Sequence, residues 1–209
     1  MSYRRYQNAA ATAVWVLIAA NVLVYIATSL IPGGSFGGLS NAIVDQFGVS
    51  RSSLGSQPWT IVTSLFLHDG IYHILGNMLM LYIYGSYLAN IINETRLLLL
   101  YFVGGLVGNA LFLLIAPPLA AAVGASGAIF ALGGALAVLR PKIKVVLFPI
   151  PIPMDLWVYV LMSAVLLGVL PALSQFSNIG WQAHLGGLVT GLAAGWYFRR
   201  WERSRGIYR

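Results

Sequence analysis

From Leu97 to Leu139 the chain carries no charged side chain. A soluble domain could not cover a stretch of that length. Charged residues make up roughly 25% of such domains, but only 8% of this chain, and its mean hydropathy is +0.82. The medium is therefore lipid. In hydrocarbon every backbone N–H and C=O must be satisfied internally, which leaves helices and closed barrels. The apolar runs are close to the ~20 residues that carry a helix across ~30 Å. The expected class is an all-α polytopic membrane protein. One domain over residues 1–209 has room for five to seven spans.

Six spans are predicted, at about Ala11–Ile31, Ile71–Ile92, Leu97–Ile115, Ser126–Leu139, Leu156–Leu170 and Trp181–Trp201. Residues 32–58 form a polar, Gly-rich loop too long for a tight turn. Phe148-Pro149-Ile150-Pro151-Ile152-Pro153 is apolar but not helical, because alternate prolines remove amide donors, and it is expected at the membrane interface. The N-terminus does not read as a cleavable signal: Arg4 and Arg5 precede an apolar run longer than an ordinary signal core.

Charge placement sets the topology. With six spans, Arg4, Arg5, Arg96, Arg140, Lys142, Lys144, Arg199, Arg200, Arg203, Arg205 and Arg209 share one side, and Arg51 alone lies on the other. Basic residues accumulate in the cytoplasm, so both termini are expected there. This accounts for the net charge of +7 without nucleic-acid binding. There is no cysteine, hence no disulfide or thiolate metal site.

Against that background the polar residues of the outer leaflet stand out. The fourth span is short: at 1.5 Å per residue it reaches only ~21 Å, so Ser126 begins its helix below the outer surface. His184 lies one turn into the sixth span. His73 is in the first turn of the second, and Asn77 is four residues on, on the same face. Ionisable residues inside a membrane are costly and by default mark a site. Gly187, Gly191 and Gly195 recur every four residues down the sixth span, and Gly127 and Gly134 thin the fourth. Such surfaces let helices approach closely, which would bring Ser126 to His184.

The chemistry that follows is a dyad. His184 would take the proton of Ser126 as general base. Asn77, His73 and the Ser126 amide would stabilise an oxyanion. No carboxylate is placed to orient His184: Asp45 and Asp69 lie in outer loops, Glu94 and Asp155 in the cytoplasm. The histidine would be held by packing, with Phe130 stacked on its ring. Each residue has a plainer use. Ser126 could cap its helix, His184 could bond between helices, and Asn77 could tie helices together. A metal site from His68, His73 and His184 competes, but lacks a carboxylate or thiolate partner.

In order along the chain, Pro58-Trp59 and the segment to His68, then His73 and Asn77, Tyr101-Phe102-Val103-Gly104-Gly105, Gly124-Ala125-Ser126-Gly127 and Ala183-His184-Leu185-Gly186-Gly187 resemble the motifs of the rhomboid intramembrane serine proteases. The resemblance runs from Trp59 to about Gly195. It implies a six-helix bundle with a water-filled cavity open to the outside. Ser126 would be the nucleophile and His184 the base, with Asn77 and His73 in the oxyanion hole. The 32–58 loop would lie partly in the membrane, and the fifth span would be the movable side where a substrate helix enters. Substrates would be single-span membrane proteins with helix-destabilising residues, cut near the outer face of the plasma membrane. No cofactor is implied. Many members have Trp-Arg in the first loop where this chain has Trp59-Thr60, which bears on how the loop is anchored. The form is similar to a basic prokaryotic six-helix core. Two other classes are weighed. A non-catalytic relative that escorts membrane clients would typically lack the serine or histidine. A small transporter would cluster its polar residues at the midplane and show an inverted repeat.

Overall fold

The computed structural model describes residues 3–147, 150–174 and 180–204, with side chains in 12–146, 152–174 and 180–204. Phe148, Pro149, Arg205 and Arg209 lie outside the described residues, as do the side chains of Arg4 and Arg5.

Helix α1 is Tyr3–Leu30. Two of its polar side chains bond back to their own helix, Asn21 Nδ2 to the Leu17 carbonyl at 2.8 Å and Thr28 Oγ1 to that of Val24 at 3.0 Å. Such bonds keep those two groups satisfied within the helix. The long loop then folds into α2 (Asn41–Phe47, with Ser40 at its N-cap), the short strand β1 (Val49–Ser50), α3 (Thr60–Thr63) and a 3₁₀ turn at Ser64–Phe66. Helix α4 spans Ile71–Ile92 and α5 spans Glu94–Ile115. Between them Asn93 takes φ 70° and its side chain accepts the Arg96 amide at 3.1 Å, so one residue turns the chain and caps α5. Pro117 and Pro118 end α5. Strand β2 (Ala121–Ala122) leads into α6 (Ser126–Leu139).

A hairpin follows, β3 (Lys144–Leu147) and β4 (Ile150–Asp155), antiparallel with an irregularity between Val145 and Leu147. Its prolines are tolerated because each strand has a free edge. This hairpin and the β1–β2 ladder depart from an all-helical chain. Both are two-stranded and lie outside the helices. The chain then forms α7 (Leu156–Ala164), a π-helical turn (Val165–Val169) and α8 (Leu170–Leu173), which run on as one helix. Helix α9 is Trp181–Ser204.

Four helical segments are long and apolar enough to cross a membrane: Thr12–Leu30, Ile71–Ile92, Glu94–Ile115 and Leu156–Leu173. Helix α6 is shorter, and α9 carries Arg199, Arg200, Glu202 and Arg203 toward its end. Helix α6 is the core. Gly127 through Leu136 are all buried, enclosed by α4, α5 and α9.

Contact between α6 and α9 is backbone on backbone. A methyl added at Gly187 would collide with the Gly127 carbonyl, one at Gly191 with that of Ala131, and one at Gly195 would stand 2.8 Å from that of Ala135. Both helices advance by four residues at each step, so the seam is continuous. The attraction is close van der Waals packing, because lipid is as apolar as leucine and supplies no hydrophobic drive between helices. The α7–α8 helix is the least enclosed of the four apolar segments: 22% of its apolar 18-residue stretch is buried, against 33% to 39% in the others.

The loop of residues 32–58 is anchored without an arginine at position 60. Thr60 is fully buried and its hydroxyl donates to the Gln57 carbonyl at 2.7 Å. Trp59 Nε1 donates to the Gln46 carbonyl at 3.0 Å, and Thr63 Oγ1 to that of Phe47 at 2.8 Å. Arg51 reaches furthest. Its guanidinium donates to the Leu113 carbonyl at 2.6 Å and the Ala116 carbonyl at 3.0 Å, capping the C-terminal end of α5.

Candidate active site

The site is built where the turn before α6 is pinned from two sides. Val49 pairs with Ala122, and the Gly124 amide donates to the Ser64 carbonyl at 2.8 Å. Ser64 is held in turn by Asn109, whose Nδ2 donates to the Ser64 hydroxyl at 2.9 Å and to the Ile61 carbonyl at 2.8 Å. Gly124 takes φ +122°, which disfavours any residue with a Cβ. A methyl there would also stand 2.8 Å from His73 Nε2 and 3.7 Å from Asn77 Nδ2. The glycine therefore does two things: it turns the chain, and it lets the α4 side chains reach the backbone just before Ser126.

Ser126 is the first residue of α6, and its hydroxyl does not cap that helix. The N-cap position is Ala125. The Ser126 hydroxyl and His184 Nε2 are 2.7 Å apart. The other ring nitrogen, His184 Nδ1, is 2.7 Å from the Leu167 carbonyl oxygen. A carbonyl can only accept, so Nδ1 carries the proton in this bond. In the neutral ring Nε2 is then a bare acceptor, and the Ser126 O–H donates to it. Phe130 stacks on the imidazole, with centroids 4.7 Å apart and planes 23° from parallel. One side chain and one carbonyl thus fix the ring's plane and tautomer. The seam of glycines brings the α6 and α9 backbones close enough for the pair to meet.

His73 and Asn77 face Gly124, two residues before Ser126. The Asp69 amide donates to His73 Nδ1 at 3.3 Å, which leaves Nε2 as the protonated donor facing the turn. Asn77 Nδ2 is buried and has no hydrogen-bond partner among the described residues. A buried amide left unpaired costs stability, and this one makes no hydrogen bond to a neighbouring helix among the described residues. The Ser126 amide is among the first N–H groups of α6, which have no acceptor within the helix. The structure thus pairs the Ser126 hydroxyl with the His184 imidazole, and sets His73 Nε2 and Asn77 Nδ2 beside Gly124, two residues before Ser126.

His68 lies just outside that group. It is fully buried in the loop before α4, its ring edge-on to His73 at 5.1 Å between centroids, and Nδ1 is 3.2 Å from the Phe66 carbonyl. Burial, reinforced by the neighbouring His73, pushes its pKa down to about 3. Among the described residues no three His, Cys, Asp or Glu side chains are grouped to hold a metal ion. An apolar cavity of about 210 Å³ opens beside the imidazole, with Phe130, Gly168, Ala172, Trp181 and Leu188 among its walls.

Three supporting groups escape sequence reasoning. Ser64 reads as a loop serine. Asn109 was visible as a lone amide in an apolar span, which is the signal that could have found it. The Leu167 carbonyl is a backbone atom with no residue signature of its own.

The Rhomboid domain family matches residues 55–201. Among relatives, the chain is 34% identical over 147 residues to Rhomboid protein 1, mitochondrial, of Saccharomyces cerevisiae, an alignment covering 68% of this chain and 42% of that protein. It is 31% identical over 191 residues to Rhomboid protease GluP of Bacillus subtilis, covering 90% and 35%. With RHOMBOID-like protein 6, mitochondrial, of Arabidopsis thaliana it shares 28% over 171 residues, covering 77% and 51%. The chain thus spans about a third to a half of the length of these relatives. Matched from residue 55 to residue 201, and carrying helices apolar enough to span a bilayer, it is a multi-pass membrane protein that belongs to the rhomboid family.

Proposed function

We propose that the chain is an intramembrane serine endopeptidase that hydrolyses peptide bonds in or near the transmembrane segments of single-span membrane proteins. The observation that carries the reading is the 2.7 Å contact between the Ser126 hydroxyl and His184 Nε2. Ser126 Oγ attacks the scissile carbonyl carbon while its proton passes to His184 Nε2. Negative charge then collects on the former carbonyl oxygen. The unpaired Asn77 Nδ2, His73 Nε2–H and the Ser126 amide are its donors. Collapse of this intermediate breaks the C–N bond, and His184 returns the proton to the leaving amine. Water, deprotonated by the same imidazole, then hydrolyses the acyl-serine. No cofactor enters this scheme. That relatives carry the printed name of protease supports it.

In this reading the single domain of residues 1–209 crosses the plasma membrane six times, with α6 and α9 added to the four long apolar segments. Both termini are cytoplasmic, and the dyad opens to the extracytoplasmic side, where the 32–58 loop rests partly in the membrane. The rival reading is a non-catalytic relative that binds membrane clients. A preassembled hydroxyl–imidazole pair argues against it, because a binding protein has no use for the base.

The test is cleavage of a single-span substrate with a helix-unstable segment by purified protein in liposomes, beside Ser126→Ala and His184→Ala. Loss of either residue is expected to abolish turnover in protein that remains folded. Parent-level cleavage by Ser126→Ala would refute the mechanism. Binding without cleavage by the parent would favour the escort reading.

A further inference from the structure

The dyad has no carboxylate, yet its histidine is oriented. We infer that the Leu167 carbonyl is the third member of the site, a positioning group that sets the His184 tautomer, and that Pro171 keeps it available. The inference rests on the protease reading above.

The argument starts from helix bonding. In a regular α-helix the carbonyl of residue 167 accepts the amide of residue 171. Residue 171 is proline, which has no amide hydrogen. The same stretch is wound as a π-helical turn over Val165–Val169, where the Leu170 amide reaches back five residues to the Val165 carbonyl. Single π turns inside α-helices gather at functional sites. Here the combination leaves the Leu167 oxygen without its ordinary partner, and it lies 2.7 Å from His184 Nδ1. Pro171 itself is buried, so it is not a loose helix end. The Leu167 side chain is exposed and plays no part.

Two consequences follow. First, Nδ1–H is committed to a fixed acceptor, so Nε2 stays free to accept from Ser126. A wrong tautomer in a serine hydrolase can cost ~10⁴ in turnover. Second, the orienting atom belongs to α7–α8, a helix that carries neither Ser126 nor His184 and is the least enclosed of the four apolar segments. The base is correctly set only while that helix is in place.

The experiment is Pro171→Ala in the full chain. It restores an amide hydrogen four residues beyond Leu167 and lets the regular helical bond compete for the carbonyl. With only three histidines in the chain, selective ¹⁵N labelling reads the His184 tautomer directly in micelles. In the parent, the neutral ring is expected with Nδ1 protonated. In Pro171→Ala that population should fall, and kcat should drop about a hundredfold, the low end of what a general base contributes, with KM little changed. Leu166→Ala, an exposed neighbour in the same turn, keeps the carbonyl and the proline, and should keep the parent tautomer and kcat. A parent ring protonated at Nε2 would overturn the inference even if the variant failed to fold. So would a Pro171→Ala protein with parent tautomer and parent kcat, while Ser126→Ala remained dead. If the parent does not cleave at all, the protease reading falls, and the tautomer measurement still tests the geometry.

Discussion

Gly187→Ala tests whether the helix seam holds the dyad together. The added methyl would collide with the Gly127 carbonyl. Backbone cannot rotate away as a side chain can, so α6 and α9 must part by roughly 1–2 Å before ordinary contact is restored. Gly127 follows Ser126 directly, and Gly187 is three residues beyond His184. Separation at that point therefore acts on the dyad itself. It stretches a 2.7 Å contact past the ~3.5 Å at which a hydrogen bond is lost. Overpacking of this kind costs about 1–3 kcal/mol of stability, which the remainder of the seam should survive. Losing the base costs on the order of 10²–10⁴ in turnover. The expected result is a folded protein, a few degrees lower in melting temperature, whose kcat on a single-span substrate falls at least a hundredfold. Gly76→Ala is the matched control, since nothing lies within 4 Å of a methyl there. It should be neutral or slightly stabilising, because alanine is the better helix former. Parent-level turnover by Gly187→Ala would refute the claim that backbone contact sets the Ser126–His184 distance.

Asn77→Ala should lower kcat by about 10²–10³, the usual loss for one oxyanion donor, with little change in KM. Because Nδ2 has no partner at rest, the melting temperature should hold or rise, and a calorimetric scan beside the kinetics checks both. His68 should make stability fall on acidification. Its folded pKa of about 3 lies below the unfolded value near ~6.5, so the unfolded chain takes up the extra proton. The contribution is complete above pH ~6.5 and is lost as pH falls toward 3, by up to ~1.4 kcal/mol per unit. His68→Gln should flatten that slope in melts between neutral pH and pH 4.5; an unchanged slope would assign it to other groups. Arg51→Ala should free the 32–58 loop from the end of α5, at a cost of ~1 kcal/mol for bonds from a solvent-screened cation. Faster hydrogen exchange confined to that loop and to residues 113–118 is the expected signature, and unaltered exchange there would show that the arginine anchors nothing.

Much of the helical framework was legible in the residues. The predicted stretches at Ile71–Ile92 and Ser126–Leu139 coincide with α4 and α6, and the others differ from their helices mainly at the ends. The reason is physical. A chain in lipid must satisfy its backbone within each segment, so an apolar run of the right length reads directly as a helix. The meeting of α6 with α9 was legible too, because glycine at every fourth position permits close approach and little else explains it. The hairpin was not. Alternate prolines exclude a helix but do not by themselves propose a pairing partner. Nor was the anchoring of the long loop, which depends on Arg51 finding two carbonyls more than sixty residues away.

At the site the division is sharper. Residue types pointed to Ser126, His184, His73 and Asn77, because a hydroxyl, imidazoles and an amide at membrane depth are costly unless used. They could not say which imidazole nitrogen carries the proton. That depends on what each nitrogen faces. The His73 ring faces a backbone amide, and the His184 ring faces the backbone carbonyl of Leu167. Every residue but proline has both groups, so no side-chain pattern announces which one is free. Only the folded chain brings them to the rings, and Pro171, four residues past Leu167, is the one mark of it that the sequence carries.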